Sequence, residues 1–223
     1  MPETSASNAD PDLPDPPKPP ARPVEVTDPE RVRITDPERM KALAHPARIA
    51  VFDYLAARRV QGYDGATATE MAEVAGMTPS AMSYHLRTLA KAGFIEEAPS
   101  RGDARERLWR LALHSFSIQA EEGAPEGDRA AERAMAHAFA EQDERGFRRW
   151  IESKGEMDPE VRDASGMSQG RLRLTTAEAK EFQTRFHKLQ MEYAELTRKR
   201  VEADSDGDDS MVFTYLFRLF PYT

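Results

Sequence analysis

The chain has 223 residues, of which 39% are hydrophobic and 31% charged, and it contains no cysteine. It is long enough for one or two domains with real cores, and the lack of cysteine excludes disulfides, thiolate metal sites and cysteine nucleophiles. Its opening, MPETSASNADPDLPDPP, has neither the basic start nor the apolar stretch of a secretory signal. No stretch approaches the roughly 18 unbroken apolar residues that span a bilayer. We therefore expect a cytoplasmic protein with no membrane partner.

Proline and charge divide the chain into three parts. Residues 1–29 hold nine of the sixteen prolines and a net charge of −4, which predicts a disordered, acidic tail. Residues 30–115 carry a net charge of +2, and residues 116–223 carry −6. Because the chain as a whole is acidic, a polyanion would have to bind to the middle part, where the net charge is positive.

The middle part begins with two predicted scaffold helices. Asp36 followed by Pro37 is typical of an N-cap with proline in the first helical turn. His45-Pro46 ends that helix and starts another. On the second helix three apolar residues recur on one side at helical spacing: Ile49, Phe52 and Leu55.

The stretch TATEMAEVAGMTPSAMSYHLRTLAKAGFIEE predicts a helix-turn-helix. Thr67 and Glu70 have the spacing of a capping box, and Gly76 breaks the helix that they start. Thr78-Pro79 then starts a second helix, which Gly93 ends. The short interval between the two helices, with its glycine, is the turn that the motif requires.

The second helix of the pair, residues 79–92, has one apolar face and one polar face. Met82, Leu86 and Leu89 form the apolar stripe. The opposite face carries hydroxyl, phenol, guanidinium and ammonium groups, which can contact bases or phosphates. Its residues are Ser80, Tyr84, Arg87 and Lys91, with Ser83 on the shoulder and His85 near the edge of the apolar stripe. The alternative interpretation is an ordinary solvated helix face.

A hairpin is predicted directly after this helix. Residues 94–98 and 107–113 have strand character, and the loop PSRGDARE between them is rich in turn-forming residues. Arg101, Arg105 and Arg107 are placed on or beside the tip of this hairpin. A hairpin in this position is the wing of a winged helix, and its arginines could reach phosphates or the minor groove.

The segments ITDPERMKALAHPARIAVFDYLAARR and ATEMAEVAGMTPSAMSYHLRTLAKAGFIEE, with the arginine-bearing hairpin, resemble the ArsR-type winged-helix transcriptional regulators of bacteria. The resemblance covers about Thr35 to Leu113. It implies a homodimer that binds an inverted-repeat operator in double-stranded DNA. By position, it places Ser80, Ser83, Tyr84, His85 and Arg87 at or near the DNA, with Arg101 and Arg105 on the wing.

The chain departs from many of these regulators in its metal chemistry. Such regulators often resemble metal sensors with cysteines near the recognition helix, and this chain has none. Its histidines never fall three or four residues apart, so they offer no helical ligand pair: His45, His85, His114, His137 and His187. We also find no Gly-rich phosphate loop, no nucleophile beside a base and no recognisable carboxylate pair. We therefore expect no metal, no cofactor and no enzymatic activity.

The last part, residues 116–223, is predicted to be helical with two short strands, which makes the whole chain mainly α with a small β component (α+β). One helix is expected from about Asp128 to Lys154, with a bend between Ala140 and Gly146. RLRLT, ending at Thr175, is predicted to be a strand, and Thr175 with Glu178 is predicted to cap a long helix. Its seam contains Phe182, Phe186, Leu189, Tyr193 and Leu196. This seam has three candidate partners: the helix near Trp150, the winged domain or a second copy.

The end of the chain combines an acidic run with an apolar run. EADSDGDDS lacks the glycine and glutamate that a calcium-binding loop needs, so we interpret it as a linker. Residues 211–220 are rich in aromatic residues and predict a second strand. We expect the aromatic side chains of this region to form either a packed core or a pocket for an unknown small-molecule effector.

Two functional hypotheses follow from the sequence. The first is a sequence-specific, homodimeric DNA-binding regulator in which residues 30–115 bind DNA and residues 116–223 hold the dimer. The second is a winged-helix module that binds another protein and no DNA, since the basic excess of residues 30–115 is small.

Overall fold

The computed structural model describes residues 31–63, 65–99, 107–113, 115–203 and 209–222. The chain is mainly helical with short strands, as predicted. The helices are α1 Pro37–Leu43, α2 Pro46–Val60, α3 Ala68–Val74, α4 Pro79–Lys91, α5 Glu126–Ser153, α6 Pro159–Asp163 and α7 Thr176–Glu202, with a 3-10 turn at Lys154–Glu156. The strands are β1 Arg31–Ile34, β2 Ala66–Thr67, β3 Ile95–Ala98, β4 Leu108–Leu111 and β5 Ser115–Ile118.

The predicted helix starts are confirmed by their caps. The Asp36 carboxylate accepts a hydrogen bond from the backbone N–H of Glu38 at 3.0 Å. The His45 Nδ1 atom accepts one from the N–H of Ala47 at 3.2 Å. These side chains satisfy backbone donors that have no partner inside a first helical turn. Each cap is followed by a proline at the start of its helix, as the sequence indicated.

Two small sheets accompany the helices. The predicted hairpin is confirmed: β3 pairs antiparallel with β4, which also pairs with β2. The second sheet joins β1 to β5 in parallel, with Val32 opposite Phe116. The strand at β1 was missed by the sequence analysis, because its partner lies beyond the whole helix-turn-helix region and a four-residue segment carries no sign of so distant a pairing.

A single core unites α1 to α4, the hairpin and the first half of α5. Phe94 is fully buried and its ring meets those of Phe52 and Phe116. The helix before it ends at Lys91, and Gly93 follows with a φ of 71°, in the left-handed region that glycine adopts without strain. Ala131 and Met135 of α5 are buried in the same core. The predicted domain boundary between residues 30–115 and residues 116–223 stays a prediction.

The last part of the chain differs from its prediction in two places. α5 is one continuous helix, and the bend expected between Ala140 and Gly146 stays a prediction, because a continuous helix can also bend. Residues 171–175 and residues 211–220 are neither helix nor strand, so these two predicted strands are wrong for the subunit described. A strand needs a neighbour for its backbone hydrogen bonds, and neither stretch has one within the described residues. The described helices include none with the length and apolar character to cross a bilayer.

Candidate nucleic-acid interface

One face of helix α4 packs against the core. Met82, Leu86 and Leu89 are all buried in the core, as their spacing predicted. Thr78 caps the helix by accepting a hydrogen bond from the N–H of Ala81 at 3.3 Å. Because three apolar anchors and a cap set the rotation of the helix, the opposite face is presented outward in a fixed orientation.

The turn between α3 and α4 has the geometry of a helix-turn-helix. Gly76 adopts a φ of 64°, and the N–H of Met77 donates to the carbonyl of Ala72 at 2.9 Å. This left-handed residue lets the chain reverse within a few residues, which packs α3 directly against α4. α3 itself begins with the capping box predicted from Thr67 and Glu70.

The outward face of α4 carries four predicted contact residues. Ser80, Tyr84, Arg87 and Lys91 are all exposed, and Tyr84 has 63% of its surface accessible. In the part of the chain that the structure describes, Arg87 and Lys91 make no hydrogen bond or salt bridge. Their charges are therefore available to a ligand. The structure brings these four side chains together on one surface.

Ser83 occupies the shoulder of this face. It is half-buried, and its hydroxyl donates to the carbonyl of Pro79 at 2.9 Å. The hydroxyl oxygen retains lone pairs that can accept from a donor. Ser83 lies at the edge of a shallow crevice between α4 and the hairpin.

His85 lies apart from the exposed face. Its ring is half-buried, 4.6 Å from the ring of His45 between centroids, beside Arg48 at the start of α2. Burial lowers the pKa of His85, and the neighbouring His45 and Arg48 lower it further. Its Nδ1 atom is buried and has no hydrogen-bond partner within the described residues. This position supports a structural role at the α2–α4 contact better than a role as a base-reading side chain.

Arg101 and Arg105 of the predicted wing lie outside the described residues. Arg107, the third arginine that the sequence placed on or beside the tip, lies within the described residues. It is exposed, its Nε atom lies 3.3 Å from a carboxylate oxygen of Glu97, and its guanidinium is 5.8 Å from the centre of the Trp109 ring. Arg107 shares a strand face with Trp109, since residues two apart on a strand point the same way.

Arg107 and α4 form the two walls of the crevice. Its lining includes Ser83, Leu86 and Arg87 from α4, and Arg107 and Trp109 from the hairpin. Its lining therefore includes two guanidinium groups, and each can donate charge-assisted hydrogen bonds to an anion.

A second arginine–glutamate pair lies on the other side of the hairpin. Arg110 lies 2.8 Å from Glu96, and both line a depression with Arg59 and Tyr63 near the end of α2. This pair has a similar exposure to that of Arg107 and Glu97. It therefore provides a matched comparison for the charge of Arg107 on the α4 side.

Among the described residues, no group of three or more His, Cys, Asp or Glu side chains is placed to hold a metal ion. The exposed side chains of α4 and of the hairpin offer hydrogen bonding, ion pairing and stacking to a ligand.

Comparisons with known proteins agree with this geometry. Residues 43–98 match a family model described as a helix-turn-helix domain, and this span contains α2, α3, α4 and β3. No curated protein matches the chain. The prediction of a winged helix-turn-helix domain, typical of DNA-binding regulators, is thereby confirmed for this segment.

Several solved structures are similar to parts of the chain. The homodimeric winged helix-turn-helix DNA-binding domain of Mb0332 from Mycobacterium bovis, a possible ArsR-family regulator, is 23% identical over 48% of this chain and 78% of that chain, with a TM-score of 0.29. The zinc-responsive MarR family member ZitR of Lactococcus lactis is 16% identical over 52% and 67%, with a TM-score of 0.25. The MarR family protein RV2887 of Mycobacterium tuberculosis, in complex with salicylic acid, is 24% identical over 53% and 86%, with a TM-score of 0.24. TM-scores this low carry no argument about function.

Proposed function

We propose that this chain, whose residues 43–98 match a helix-turn-helix domain, is a homodimeric transcriptional regulator of the cytoplasm that binds an inverted-repeat operator in double-stranded DNA. The observation that carries this proposal is the two-faced character of α4. Three buried apolar residues hold one face in the core, and the opposite face presents Ser80, Tyr84, Arg87 and Lys91 to solvent.

The four exposed side chains divide by chemistry into base-reading and backbone-binding groups. The guanidinium of Arg87 can donate two parallel hydrogen bonds to the O6 and N7 atoms of a guanine. The hydroxyls of Ser80 and Tyr84 lie nearer the N-terminus of α4, the end that reads base edges in helix-turn-helix proteins. Lys91 lies in the last turn, and its ammonium group suits a phosphate.

Two copies of α4 are needed to read an inverted repeat. In a two-fold dimer, two recognition helices enter successive major grooves about 34 Å apart on one side of the duplex. Such a dimer would hold its strongly acidic parts away from the DNA, because the whole chain has a net charge of −8. Binding is then governed by a few local contacts and should weaken steeply as salt is added.

The experiment that tests this proposal is selection of bound fragments from the source genome, followed by measurement of the Arg87→Ala variant on the selected site. We expect a shared inverted repeat among the fragments. We expect Arg87→Ala to reduce discrimination between that site and random DNA by about 1 to 3 kcal/mol, because a bidentate guanine contact is lost. Arg148→Ala removes an exposed arginine of α5 far from α4 in sequence and serves as the control. Equal weakening on all sequences would show that Arg87 contacts the backbone only.

The crevice predicts a second DNA contact through Arg107. If Arg107 binds a phosphate there, Arg107→Ala should lower the magnitude of the log–log salt slope by about 0.9 and weaken operator and random DNA equally. Arg110→Ala removes the matched arginine on the other side of the hairpin, so its slope should equal that of the wild type. The measurement is fluorescence anisotropy between about 50 and 200 mM salt. Equal slopes for the two variants would remove Arg107 from the interface.

A protein-binding module is the second candidate function. The observation in its favour is the small basic excess of residues 30–115, which carry a net charge of only +2. A mobility-shift assay at low salt separates the two functions, because non-specific phosphate contacts are strongest there. Failure to shift any genomic fragment would favour protein binding.

A further inference from the structure

The last part of the chain lacks a core within the subunit. After Met135, no described residue is buried. α7 extends over 27 residues and has no buried side chain. Most of the stability of a helix in a protein comes from packing of its apolar face. The apolar face of α7 therefore needs a surface that this subunit does not supply.

Residues 211–220, here called the terminal segment, lie against α7 in a defined position. The Phe217 ring stacks on Phe186 with 4.0 Å between ring centres, and Tyr215 meets the same ring edge-on at 6.4 Å. Arg218 forms a salt bridge of 2.7 Å with Asp143 of α5. Contacts to two helices hold the terminal segment in place.

The terminal segment has the composition of a strand and no strand partner. Its sequence MVFTYLFRLF contains neither proline nor glycine and is dominated by the aromatic and branched residues that strands favour. Within the described residues, the backbone groups of the terminal segment make no hydrogen bond to one another or to the rest of the chain. A segment of this kind is an open template for pairing with another strand.

The area of exposed apolar surface is sufficient for a stable dimer. On one face of α7 the exposed large apolar side chains are Phe182, Leu189, Tyr193 and Leu196, and the C-terminal residues add Met211, Val212, Phe213, Tyr215, Leu216, Phe220 and Tyr222. At roughly 100 Å² each they offer up to about 1,000 Å², and a typical stable interface buries about 800 Å² on each partner. Single exposed apolar residues are ordinary, but a cluster of this size indicates an interface.

We propose that a second copy of this chain covers this face, and that the two terminal segments pair antiparallel across the two-fold axis. An identical segment is self-complementary in this arrangement, because each strand gives the other the same hydrogen bonds that it receives. Arg218 is the one charged residue of the terminal segment and is paired with Asp143, so no like charges face each other. The inference deepens the proposed function and rests on its requirement for two copies of α4.

Cysteine scanning tests the pairing directly, because the chain contains no cysteine of its own. In a two-fold antiparallel pair, one residue lies opposite its own copy, with Cα atoms about 4.5 to 5.5 Å apart. That separation lies within the range that a disulfide bridges. Single substitutions from Val212→Cys to Arg218→Cys are made in the full chain and oxidised gently at micromolar concentration. We expect one position to give a disulfide-linked dimer in high yield, whereas Glu73→Cys on exposed α3 gives none.

Two disrupting variants give an independent measurement of the same surface. Leu216→Glu puts a charge into the interface, and Thr214→Pro removes a backbone donor from the strand. In sedimentation experiments on the full chain, we expect each to weaken dimerisation by at least about tenfold, with Leu216→Ile close to the wild type. The unfolding midpoint of the winged domain shows whether each variant remains folded.

The possible failures are distinguishable. A dimer that persists in both variants and cross-links at no scanned position overturns the proposed surface and leaves the dimeric regulator intact. A wild-type chain that is monomeric both alone and on its operator overturns the surface and the dimeric function together. A monomer that binds no DNA at all overturns the regulator itself.

Discussion

The two halves of this chain are built from equally good helices and differ in what those helices bury. α3 and α7 both begin with a complete capping box, Thr67 with Glu70 and Thr175 with Glu178. α3 places Met71 and Ala72 in the core, whereas no side chain of α7 is fully buried within its own subunit. Local signals therefore start a helix in either region, but they do not reveal whether its apolar face is covered by the same chain.

The exposed helix α7 carries ion pairs along its surface. Arg198 is paired with both Glu195 and Glu202, and Arg185 is paired with Glu181. These carboxylates raise the pKa of Arg198 above its ordinary value. Ion pairs exposed to solvent contribute little to stability and are screened by salt. These ion pairs favour helix formation in α7. They do not give α7 the burial of an apolar face that anchors α4.

The largest expected effect comes from removing a ring in the core of the winged region. Phe94→Ala deletes a fully buried side chain and leaves a cavity, which should lower the free energy of unfolding by about 3 to 5 kcal/mol. Urea unfolding followed by circular dichroism measures the change. Tyr193→Ala is the control in the other region, because its ring is 65% exposed in the subunit. At protein concentrations low enough to prevent association, we expect that control to change the free energy of unfolding by less than about 1 kcal/mol.

Equal destabilisation of the two variants in dilute solution would mean that α7 is packed within its own subunit. A destabilisation by Tyr193→Ala that grows with protein concentration would instead mean that this ring is buried between two chains.

The features that the sequence predicted correctly are the local ones. Caps at Asp36, Thr67 and Thr78, and the helix start at His45-Pro46, lie within a few residues of the groups they bind, so spacing alone identifies them. The buried and exposed faces of α4 follow from helical periodicity in the same way. These predictions were enough to place Ser80, Tyr84, Arg87 and Lys91 on one surface.

The features that the sequence did not predict depend on distant partners. β1 is a strand only because β5 lies beside it, and no local pattern in Arg31–Ile34 signals that neighbour. The terminal segment shows the reverse, since its composition favours a strand but the described subunit offers no partner. The sequence named Arg107 among the wing arginines, but it did not predict the crevice that Arg107 shares with α4, because that crevice depends on how two elements pack.

An effect of intermediate size is expected from the two capping boxes. The Thr67 hydroxyl accepts from the N–H of Glu70 at 3.2 Å, and the Thr175 hydroxyl accepts from the N–H of Glu178 at the same distance. Thr67→Ala should lower the free energy of unfolding of the winged region by about 1 kcal/mol, because α3 unfolds only with its core. Thr175→Ala should instead increase hydrogen exchange in the first turns of α7 and leave that free energy unchanged. A shared loss of global stability in both variants would show that the two regions unfold as one unit.

The smallest expected effect is a pH dependence that belongs to the winged region. His45 caps α2 through its Nδ1 atom, which accepts a hydrogen bond from Ala47 and can do so only while it carries no proton. Burial lowers the pKa of His45 from its ordinary value of 6.5, and the Arg48 cation lowers it further. As the pH falls through 6.5, the unfolded chain therefore binds the proton before the folded chain does. The stability that this histidine contributes is complete above that pH and is lost as the pH falls toward the lower folded value.

His45→Asn removes this effect together with the part of the His85 pKa shift that His45 causes, because asparagine retains an N-cap oxygen and does not titrate. We expect wild-type urea midpoints to fall between about pH 7.5 and about pH 5.5, and those of His45→Asn to fall less over the same interval. Asp53, whose pKa is raised mainly by desolvation of its carboxyl group, is present in both proteins, so its contribution cancels in the difference. Parallel pH profiles for the two proteins would contradict a role for His45 ionisation. Because the His45 ring also lies against His85 of α4, such profiles would leave the contact between α2 and the recognition helix independent of pH in this range.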